Sequence, residues 1–228
     1  ECKSPVEKIP IQGFRDLGYE HMVASGQKGY NGVAIFSTLP IIDEFSIDFA
    51  DLKHARHIAG HLENGFIIHN FYVPAGGDEP NIDTNLKFAQ KLAFLDAMKK
   101  WFDSNEQKRA ILVGDLNIAP HEDDVWDHKK LSKIVSHTPI EIEKLSEVMR
   151  AGNWIDVFRK ATPNGKLYSW WSYRAKNWHL ADKGRRLDHI WVSSDLSGLK
   201  FENSIFREAR GWDRPSDHAP IFTVFDEI

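Results

Sequence analysis

Short apolar runs, each rich in Ile, Val or Phe and each ending at a turn-forming residue, recur along the chain and predict β-strands. Between them lie longer stretches in which apolar residues recur every three or four positions, the spacing of an amphipathic helix. The predicted strands cover residues 32–37, 57–62, 66–72, 110–114, 187–193 and 221–225. Strands and helices that alternate in this way predict an α/β fold in which helices cover the sheets.

Two stretches carry the clearest helical pattern. The longer covers residues 84–105, where Thr84 is the predicted N-cap and lysines lie away from the apolar face. The shorter covers residues 141–151 and is expected to end at Gly152. The apolar positions of the longer helix are Phe88, Leu92, Leu95 and Phe102. Polar motifs follow directly after several predicted strands, where loops can carry catalytic groups on a rigid support.

Composition narrows the class of protein. The chain has 228 residues, of which 42% are hydrophobic and 27% charged, so residues 1–228 are expected to form one folded domain. No run of about 18 apolar residues is present, so no membrane span is predicted. The single cysteine, Cys2, excludes an internal disulfide and favours a reducing compartment. The net charge of −4 is not typical of a nucleic-acid-binding protein, but phosphate binding depends on local basic patches.

The first motif with candidate chemistry is ILVGDLN at residues 111–117. On an extended segment, side chains two positions apart point the same way, so Asp115 and Asn117 would face one site. The carboxylate could hold a water molecule or a metal ion, and the amide could bind a phosphoryl oxygen. An Asx-turn that closes a strand explains the same residues equally well.

Two further acidic motifs lie beside or within predicted strands. In PSDHAP, Asp217 can ligate a hard cation and His218 can donate to a phosphate or act as an acid or base. A surface turn capped by the aspartate is the alternative. Asp188 lies inside an apolar strand pattern, where an unpaired carboxylate is costly. Its expected partner is a histidine or a metal ion, and a salt bridge to Arg186 is the alternative.

Aromatic and basic residues are interleaved in the segment from residue 166 to residue 186. Such a surface could grip phosphates and stack on an extruded nucleotide, whereas a core-facing aromatic cluster with a basic rim is the alternative. Tyr72 ends another predicted strand, where its hydroxyl could reach a phosphate, although most strand-end tyrosines only pack. The candidate DNA-contacting residues from this segment are Trp170, Trp171, Arg174, Lys176, Arg185 and Arg186.

The order of the motifs along the chain is more specific than any one of them. YVP, GDLN, LD and SDHAP follow one another as in the exonuclease/endonuclease/phosphatase (DNase I-like) superfamily. Within it, the whole chain resembles the exonuclease III, or apurinic/apyrimidinic endonuclease, family. The resemblance implies a four-layer α-β-β-α sandwich. It also implies a strand containing Trp-Asn, a helix and a second strand before Glu1, so the sequence is expected to be N-terminally incomplete.

The same resemblance implies a metal site. Glu1 looks like the glutamate that ligates the metal in this family, and Asp217 would lie at or beside the ion. Asp115, Asn117 and His218 are further candidate ligands. The implied metal is magnesium, with manganese as the other candidate.

Catalytic roles are implied in the same way. Tyr72 would hold the scissile phosphate, and Asn117 would support that phosphate. Asp115 would orient or deprotonate the attacking water. Asp188 would pair with His218 and so fix its ring and its charge.

The family also has a pocket for the abasic sugar. Trp170 and Leu187 match positions that line this pocket, so Leu187 joins the candidate DNA contacts. Arg185 stands where a bulky apolar residue is often found, which implies a pocket of different shape.

The resemblance implies an exodeoxyribonuclease III that also incises abasic sites in base excision repair. Its substrate would be double-stranded DNA with abasic sites or 3′ ends, and it would act as a monomer in the bacterial cytoplasm. One alternative is a relative that hydrolyses phosphoinositides or other phosphodiesters, and the Trp- and Arg-rich segment discriminates against it. Another is an inactive DNA-binding module, which the intact set of polar motif residues opposes.

Overall fold

Ten strands and six α-helices form within residues 1–226, the part of the chain that the computed structural model describes. The strands are β1 (His21–Ser25), β2 (Val33–Ser37), β3 (Ile41–Phe45), β4 (His57–Leu62), β5 (Ile67–Tyr72), β6 (Ala110–Asp115), β7 (Trp154–Asp156), β8 (Asp188–Ser193), β9 (Phe201–Ile205) and β10 (Ile221–Phe225). The helices are α1 (Ile11–Arg15), α2 (Leu86–Ser104), α3 (His128–Leu131), α4 (Pro139–Ala151), α5 (Val157–Ala161) and α6 (Trp178–Ala181). None of these helices combines the length and apolar character needed to cross a bilayer.

Six of the described strands form one sheet in the order β3-β4-β5-β6-β8-β7. Strands β5 and β6 are parallel, and the other neighbours are antiparallel. The remaining strands form two antiparallel hairpins, β1-β2 and β9-β10. The central position of β5, β6 and β8 brings their polar ends together at one end of the sheet.

Helices and hairpins cover opposite faces of the six-stranded sheet. Helices α2 and α4 pack on one face through a core that includes Phe71, Leu95 and Trp191. On the other face, Ile190 of β8 belongs to an apolar cluster with residues of β9 and β10, and Ile58 of β4 packs with β1 and β2. The short helix α1 contacts β2, because the Phe14 ring stacks on the Phe36 ring at 3.7 Å. This layered arrangement confirms the predicted α/β class.

The six predicted strands are all present, with bounds that differ by at most one residue. The longer predicted helix is also present, but it begins after Asn85 and not after Thr84. The Asn85 side chain accepts hydrogen bonds from the N–H groups of Lys87 (3.1 Å) and Phe88 (3.4 Å), so Asn85 is the N-cap. The shorter helix begins earlier than predicted, at Pro139, because Thr138 caps it.

A pair of buried histidines lies where β4 and β5 meet α2. Ile47 N–H donates to Nδ1 of His57 (3.2 Å), so that ring carries its proton on Nε2 and donates to Nδ1 of His69 (3.2 Å). Nε2 of His69 then donates to Oε1 of Gln107 (3.1 Å). Burial lowers the pKa of His69 to about 4 and lowers the pKa of His57 well below its usual value. Both rings are therefore neutral in the folded protein at pH 7.

The contribution of this histidine pair to the unfolding free energy is expected to fall as the pH falls from about 6.5 towards 4. In the unfolded chain these histidines take up protons near pH 6.5, whereas in the folded chain they resist protonation. The unfolded state therefore binds more protons in this window, and His69 alone should cost about 2 kcal/mol at pH 5. Urea unfolding at pH 7.5 and pH 5 measures the loss.

The double variant His57→Gln/His69→Gln should show a smaller loss of unfolding free energy between the two pH values than the wild type. The exposed His179 provides the control, because His179→Gln leaves the buried pair unchanged. An identical pH dependence in the wild type and the double variant would contradict the assignment.

Candidate active site

Three polar side chains form a row across the end of the six-stranded sheet. Tyr72 of β5 is paired with Asp115 of β6, and Asp115 is paired with Asp188 of β8. Because directly paired residues point to the same face of a sheet, the two carboxylates lie side by side. Three separate sequence motifs therefore meet at one place.

Gly114 allows β5 and β6 to approach closely at this point. Its φ is 137°, a conformation that other residues rarely adopt, and a Cβ atom there would lie 1.9 Å from the carbonyl oxygen of Phe71. Phe71 and Gly114 are partners in the parallel pairing. The glycine therefore sets the spacing between the strands that carry Tyr72 and Asp115.

Asp115 and Asn117 are joined by a tight turn. Asn117 has a left-handed φ of 53°, and its N–H donates to Oδ1 of Asp115 (2.9 Å). Its side-chain amide donates to Oδ2 of Asp115 (2.9 Å) and to the carbonyl oxygen of Val73 (2.9 Å). The segment is thus an Asx-turn and not extended, but both side chains still face the same cleft. The motif therefore forms an Asx-turn and also presents two polar side chains to one site.

A wholly buried ion pair supports this turn from behind. Nζ of Lys91 donates to the carbonyl oxygens of Asn117 (2.8 Å) and Ala75 (3.3 Å) and to Oε1 of Glu141 (2.5 Å). Both charged side chains are 0% exposed. Lys91 thereby ties the loop after Tyr72 to the loop after Asp115.

Asp188 and His218 form a hydrogen-bonded pair. Nδ1 of His218 lies 2.8 Å from Oδ2 of Asp188, and its Nε2 lies 3.8 Å from Oδ2 of Asp115. Ser169 Oγ donates to the same Asp188 oxygen (2.6 Å). The partner of Asp188 is therefore a histidine, as expected, and the alternative of a salt bridge to Arg186 is excluded.

Burial and neighbouring charges shift the pKa values of Asp115 and His218. Burial and then the charge of Asp188 raise the pKa of Asp115 to about 7, although the nearby His218 lowers it. Burial alone would lower the pKa of His218, but the charge of Asp188 and the hydrogen bond to it raise that pKa to about 9. A cationic imidazole therefore lies beside a carboxylate that ionises near neutral pH.

Glu1 and Tyr72 lie on the other side of Asp115. Burial, and then the negative charge of Glu1, raise the pKa of the Tyr72 hydroxyl, so it stays protonated and can donate a hydrogen bond. The Arg56 guanidinium lies over the Tyr72 ring at 4.7 Å, and its Nη1 donates to the backbone carbonyl oxygen of Tyr72 (3.1 Å). Glu1 is paired with Lys3 at 3.2 Å.

One cleft of about 750 Å³ contains these groups. It also contains Asp217, whose Oδ2 accepts a hydrogen bond from Nε1 of Trp170 (2.9 Å). Among the sequence-derived site residues, those that line this cleft are Glu1, Tyr72, Asp115, Asn117, Asp217, His218, Trp170, Arg174, Arg185 and Leu187. Asp188 lies directly behind, where it contacts His218.

Two predicted DNA contacts are corrected by the structure. Arg186 is 1% exposed and pairs with Asp124 (2.7 Å) and Asp156 (2.7 Å), so its charge is already compensated inside the protein. Trp171 is also 1% exposed, and its Nε1 donates to Asp182 (2.9 Å). Both side chains are structural. Lys176 is exposed but is not part of the cleft lining.

The cleft has a donor set that suits a hard divalent cation. Carboxylate oxygens of Asp115 and Asp188 and a ring nitrogen of His218 lie within 4.8 Å of one another. The carboxylates of Glu1 and Asp217 line the same cleft. Oxygen-rich sets of this kind are what magnesium prefers, and a cation would offset the repulsion that raises the pKa of Asp115. The residues present therefore fit a metal.

Two residues that support the site, Ser169 and Lys91, are not among the residues that the motifs predict. Ser169 accepts the backbone N–H groups of Leu187 and Asp188 (3.1 Å each) while its hydroxyl donates to the Asp188 carboxylate. The lysines of α2 are predicted to lie away from its apolar face, and for Lys91 this prediction is wrong. Lys91 lies three residues after Phe88, on the apolar face, and that spacing could have revealed a buried lysine.

The chain is similar to proteins of one known family. Residues 4–218 match the Endonuclease/Exonuclease/phosphatase family. Exodeoxyribonuclease III of Haemophilus influenzae is 29% identical over 239 residues, which cover 99% of this chain and 87% of that protein.

Two solved structures are close to this one. An AP endonuclease from Archaeoglobus fulgidus has a TM-score of 0.90 at 32% identity, covering 99% of this chain and 86% of that one. A 3′ phosphatase from Neisseria, bound to a product DNA hairpin, has a TM-score of 0.87 at 31% identity, covering 99% of this chain and 86% of that one. The resemblance inferred from the motifs is thus confirmed. The chain belongs to the endonuclease/exonuclease/phosphatase family and, within it, to the exonuclease III and AP endonuclease group.

Proposed function

We propose that the protein is a metal-dependent DNA phosphodiesterase that incises abasic sites and removes nucleotides from the 3′ ends of duplex DNA. The observation that carries the proposal is the row of Tyr72, Asp115 and the Asp188–His218 pair at the end of the sheet, in which Tyr72, Asp115 and His218 line one cleft. This set supplies a base, hydrogen-bond donors and a cation for one phosphate. Relatives named for the same activities support the proposal.

Hydrolysis requires a water molecule to attack phosphorus while negative charge grows on the non-bridging oxygens. The Asp115 carboxylate is suited to orient the water and take its proton, because it lies in the cleft between the Tyr72 hydroxyl and the His218 ring. The protonated ring of His218, the hydroxyl of Tyr72 and the amide of Asn117 can donate to the phosphate oxygens. The P–O3′ bond breaks with its electron pair on O3′, which takes up a proton from solvent and leaves as a hydroxyl group.

Glu1 and Asp217 are the proposed metal ligands, with Asp115, Asn117 and His218 within the same cleft. The proposed ion is Mg²⁺, and Mn²⁺ has a similar preference for oxygen ligands. When bound, the ion would neutralise charge on the phosphate and its leaving group. Asp188 acts through His218, whose ring and charge it fixes.

The proposed substrate is double-stranded DNA. Although the net charge is −4, the cleft is lined by the cations Lys3, Arg174, Lys183 and Arg185, which provide the local basic surface that phosphates need. The proposed working form is a monomer. The proposed location is the bacterial cytoplasm, a proposal that the similarity to a bacterial exodeoxyribonuclease III supports.

A duplex with a single abasic site tests the proposal. Full-length protein with Mg²⁺ should cut 5′ of the site, and EDTA should abolish cutting. His218→Ala should lower the rate about 10²-fold or more, because a donor to the phosphate is lost. His179→Ala, which removes an exposed histidine outside the cleft, is the control.

The outcomes separate the competing functions. Preferential hydrolysis of phosphoinositides in a competition assay would overturn the DNA substrate. Binding of the duplex without metal-dependent cutting would point to an inactive binding module instead.

A further inference from the structure

His189 is a buried histidine to which the proposed reaction gives no role. It follows Asp188 in β8 and is 0% exposed. In the sheet it is paired with Gly114, the residue before Asp115. Its Nε2 lies 2.9 Å from the carbonyl oxygen of Ile118. Because a carbonyl oxygen can only accept, this nitrogen carries a proton and donates the hydrogen bond.

The acceptor, Ile118, follows the turn that orients the Asp115 carboxylate. Asn117, inside this turn, has a left-handed φ of 53°, which residues other than glycine adopt only rarely. Such a conformation persists where the surrounding structure holds it. Both carboxylate oxygens of Asp115 accept hydrogen bonds from Asn117. The orientation of the carboxylate therefore depends on the conformation of the turn.

Two buried side chains hold consecutive carbonyl groups of this turn. Nζ of Lys91, on α2, donates to the carbonyl oxygen of Asn117 (2.8 Å). Nε2 of His189, on β8, donates to the carbonyl oxygen of Ile118 (2.9 Å). The turn is thus fixed to a helix and to the neighbouring strand at the same time.

The His189 ring is itself held in place. Its Nδ1 lies 3.8 Å from Oδ2 of Asp156, and that aspartate is fixed by an ion pair with Arg186 (2.7 Å). The ring also packs edge-to-face against Trp191, with 5.8 Å between the two centroids. A ring with neighbours on these sides has little freedom to rotate. It therefore holds the Ile118 carbonyl group at one position.

Building on the proposed function, we infer that His189 is a positioning residue, which holds the Asn117 turn through the Ile118 carbonyl group and so orients the Asp115 carboxylate towards the attacking water. The side chain is wholly buried and does not touch the substrate. Its hydrogen bond therefore acts on the rate of the chemical step and not on the affinity for DNA. Because a shift of about 1 Å in a reacting group can cost about 10²-fold in rate, we expect the loss of this bond to cost about 10-fold.

Three substitutions separate the hydrogen bond from the volume of the ring. His189→Gln keeps an N–H group that can reach Ile118, His189→Asn carries the same amide on a shorter chain, and His189→Met has no donor. Single-turnover cleavage of the abasic duplex at saturating protein should be about 10-fold slower in His189→Met and His189→Asn. In His189→Gln it should stay within about 3-fold of the wild type. The protein concentration that gives half of the maximal rate should be the same in all four proteins.

Hydrogen exchange at the Asn117 backbone N–H, which donates to Asp115 (2.9 Å), reports on the turn without any cleavage. It should be about 10-fold faster in His189→Met and His189→Asn than in the wild type, and unchanged in His189→Gln. His69→Met is the matched control, because it removes another buried histidine, which donates to Gln107 (3.1 Å). This variant should lower the unfolding free energy and change neither the exchange at Asn117 nor the cleavage rate.

A wild-type rate in folded His189→Met or His189→Asn would overturn the inference. So would a change in the half-saturating concentration alone, because His189 would then act on DNA binding. If those two variants fail to fold, His189→Gln decides, since a 10-fold slower rate or faster exchange in it contradicts the role of the donor. If the wild type does not cut the duplex, the proposed function fails, and equal exchange at Asn117 in all variants would still overturn the inference.

Discussion

Asp115→Asn is expected to lower DNA cleavage by about 10³-fold and to leave the protein folded. The change removes the carboxylate that takes the proton of the attacking water, a contribution of about 10²–10⁴-fold for a general base. The unfolding free energy should not fall, because burial and then the charge of Asp188 already disfavour the ionised form of Asp115. Single-turnover cleavage of the abasic duplex and urea unfolding measure the two effects.

Asp103→Asn is the matched control, since Asp103 is an exposed carboxylate on α2 that pairs with Lys99. It should change neither cleavage nor stability by a measurable amount. Full activity in Asp115→Asn would rule out its assignment as the base. A large loss of stability would show that the carboxylate is structural.

Lys91→Met is expected to have the largest effect on stability. It leaves Glu141 buried without its cation, which typically costs about 3–5 kcal/mol. Cleavage should also fall, because the carbonyl groups of Ala75 and Asn117 lose the donor that holds their loops. The free energy of unfolding in urea and the single-turnover rate are the measurements.

The same helix provides the control. Lys99 forms an exposed ion pair with Asp103, so Lys99→Met should cost about 1 kcal/mol or less. The double variant Lys91→Met/Glu141→Gln should recover part of the loss, because Gln keeps an acceptor but carries no charge. If Lys91→Met were as stable as Lys99→Met, the buried pair would not be a structural support.

Runs of Ile, Val and Phe predicted six of the ten strands within residues 1–226, but not β1, β3, β7 or β9. β3 carries the exposed Asp43 and Glu44. In β9 only one face of the strand is partly buried, because Glu202 and Ser204 on the other face are exposed. Such segments become strands because a partner is present, β4 in one case and β10 in the other. Pairing between distant segments is not encoded in the local sequence.

The site was predictable where chemistry follows a strand, as at Asp115, and where a motif such as SDHAP has a fixed order. The sequence did not predict which of two neighbouring arginine side chains would reach the cleft. Arg185 and Arg186 are adjacent and identical in type, yet one lines the cleft and the other is enclosed by two aspartates. The buried partner of Lys91 is likewise 50 residues away in the sequence.

The close approach at Gly114 limits how this enzyme can vary. Even alanine would push its methyl group into the Phe71 carbonyl oxygen, one residue before Tyr72. Saturation mutagenesis at this codon, followed by selection for repair of damaged DNA, should therefore return glycine alone. Substitutions in related sequences can therefore change the residues that line the cleft, but they cannot change the distance between β5 and β6 at Gly114.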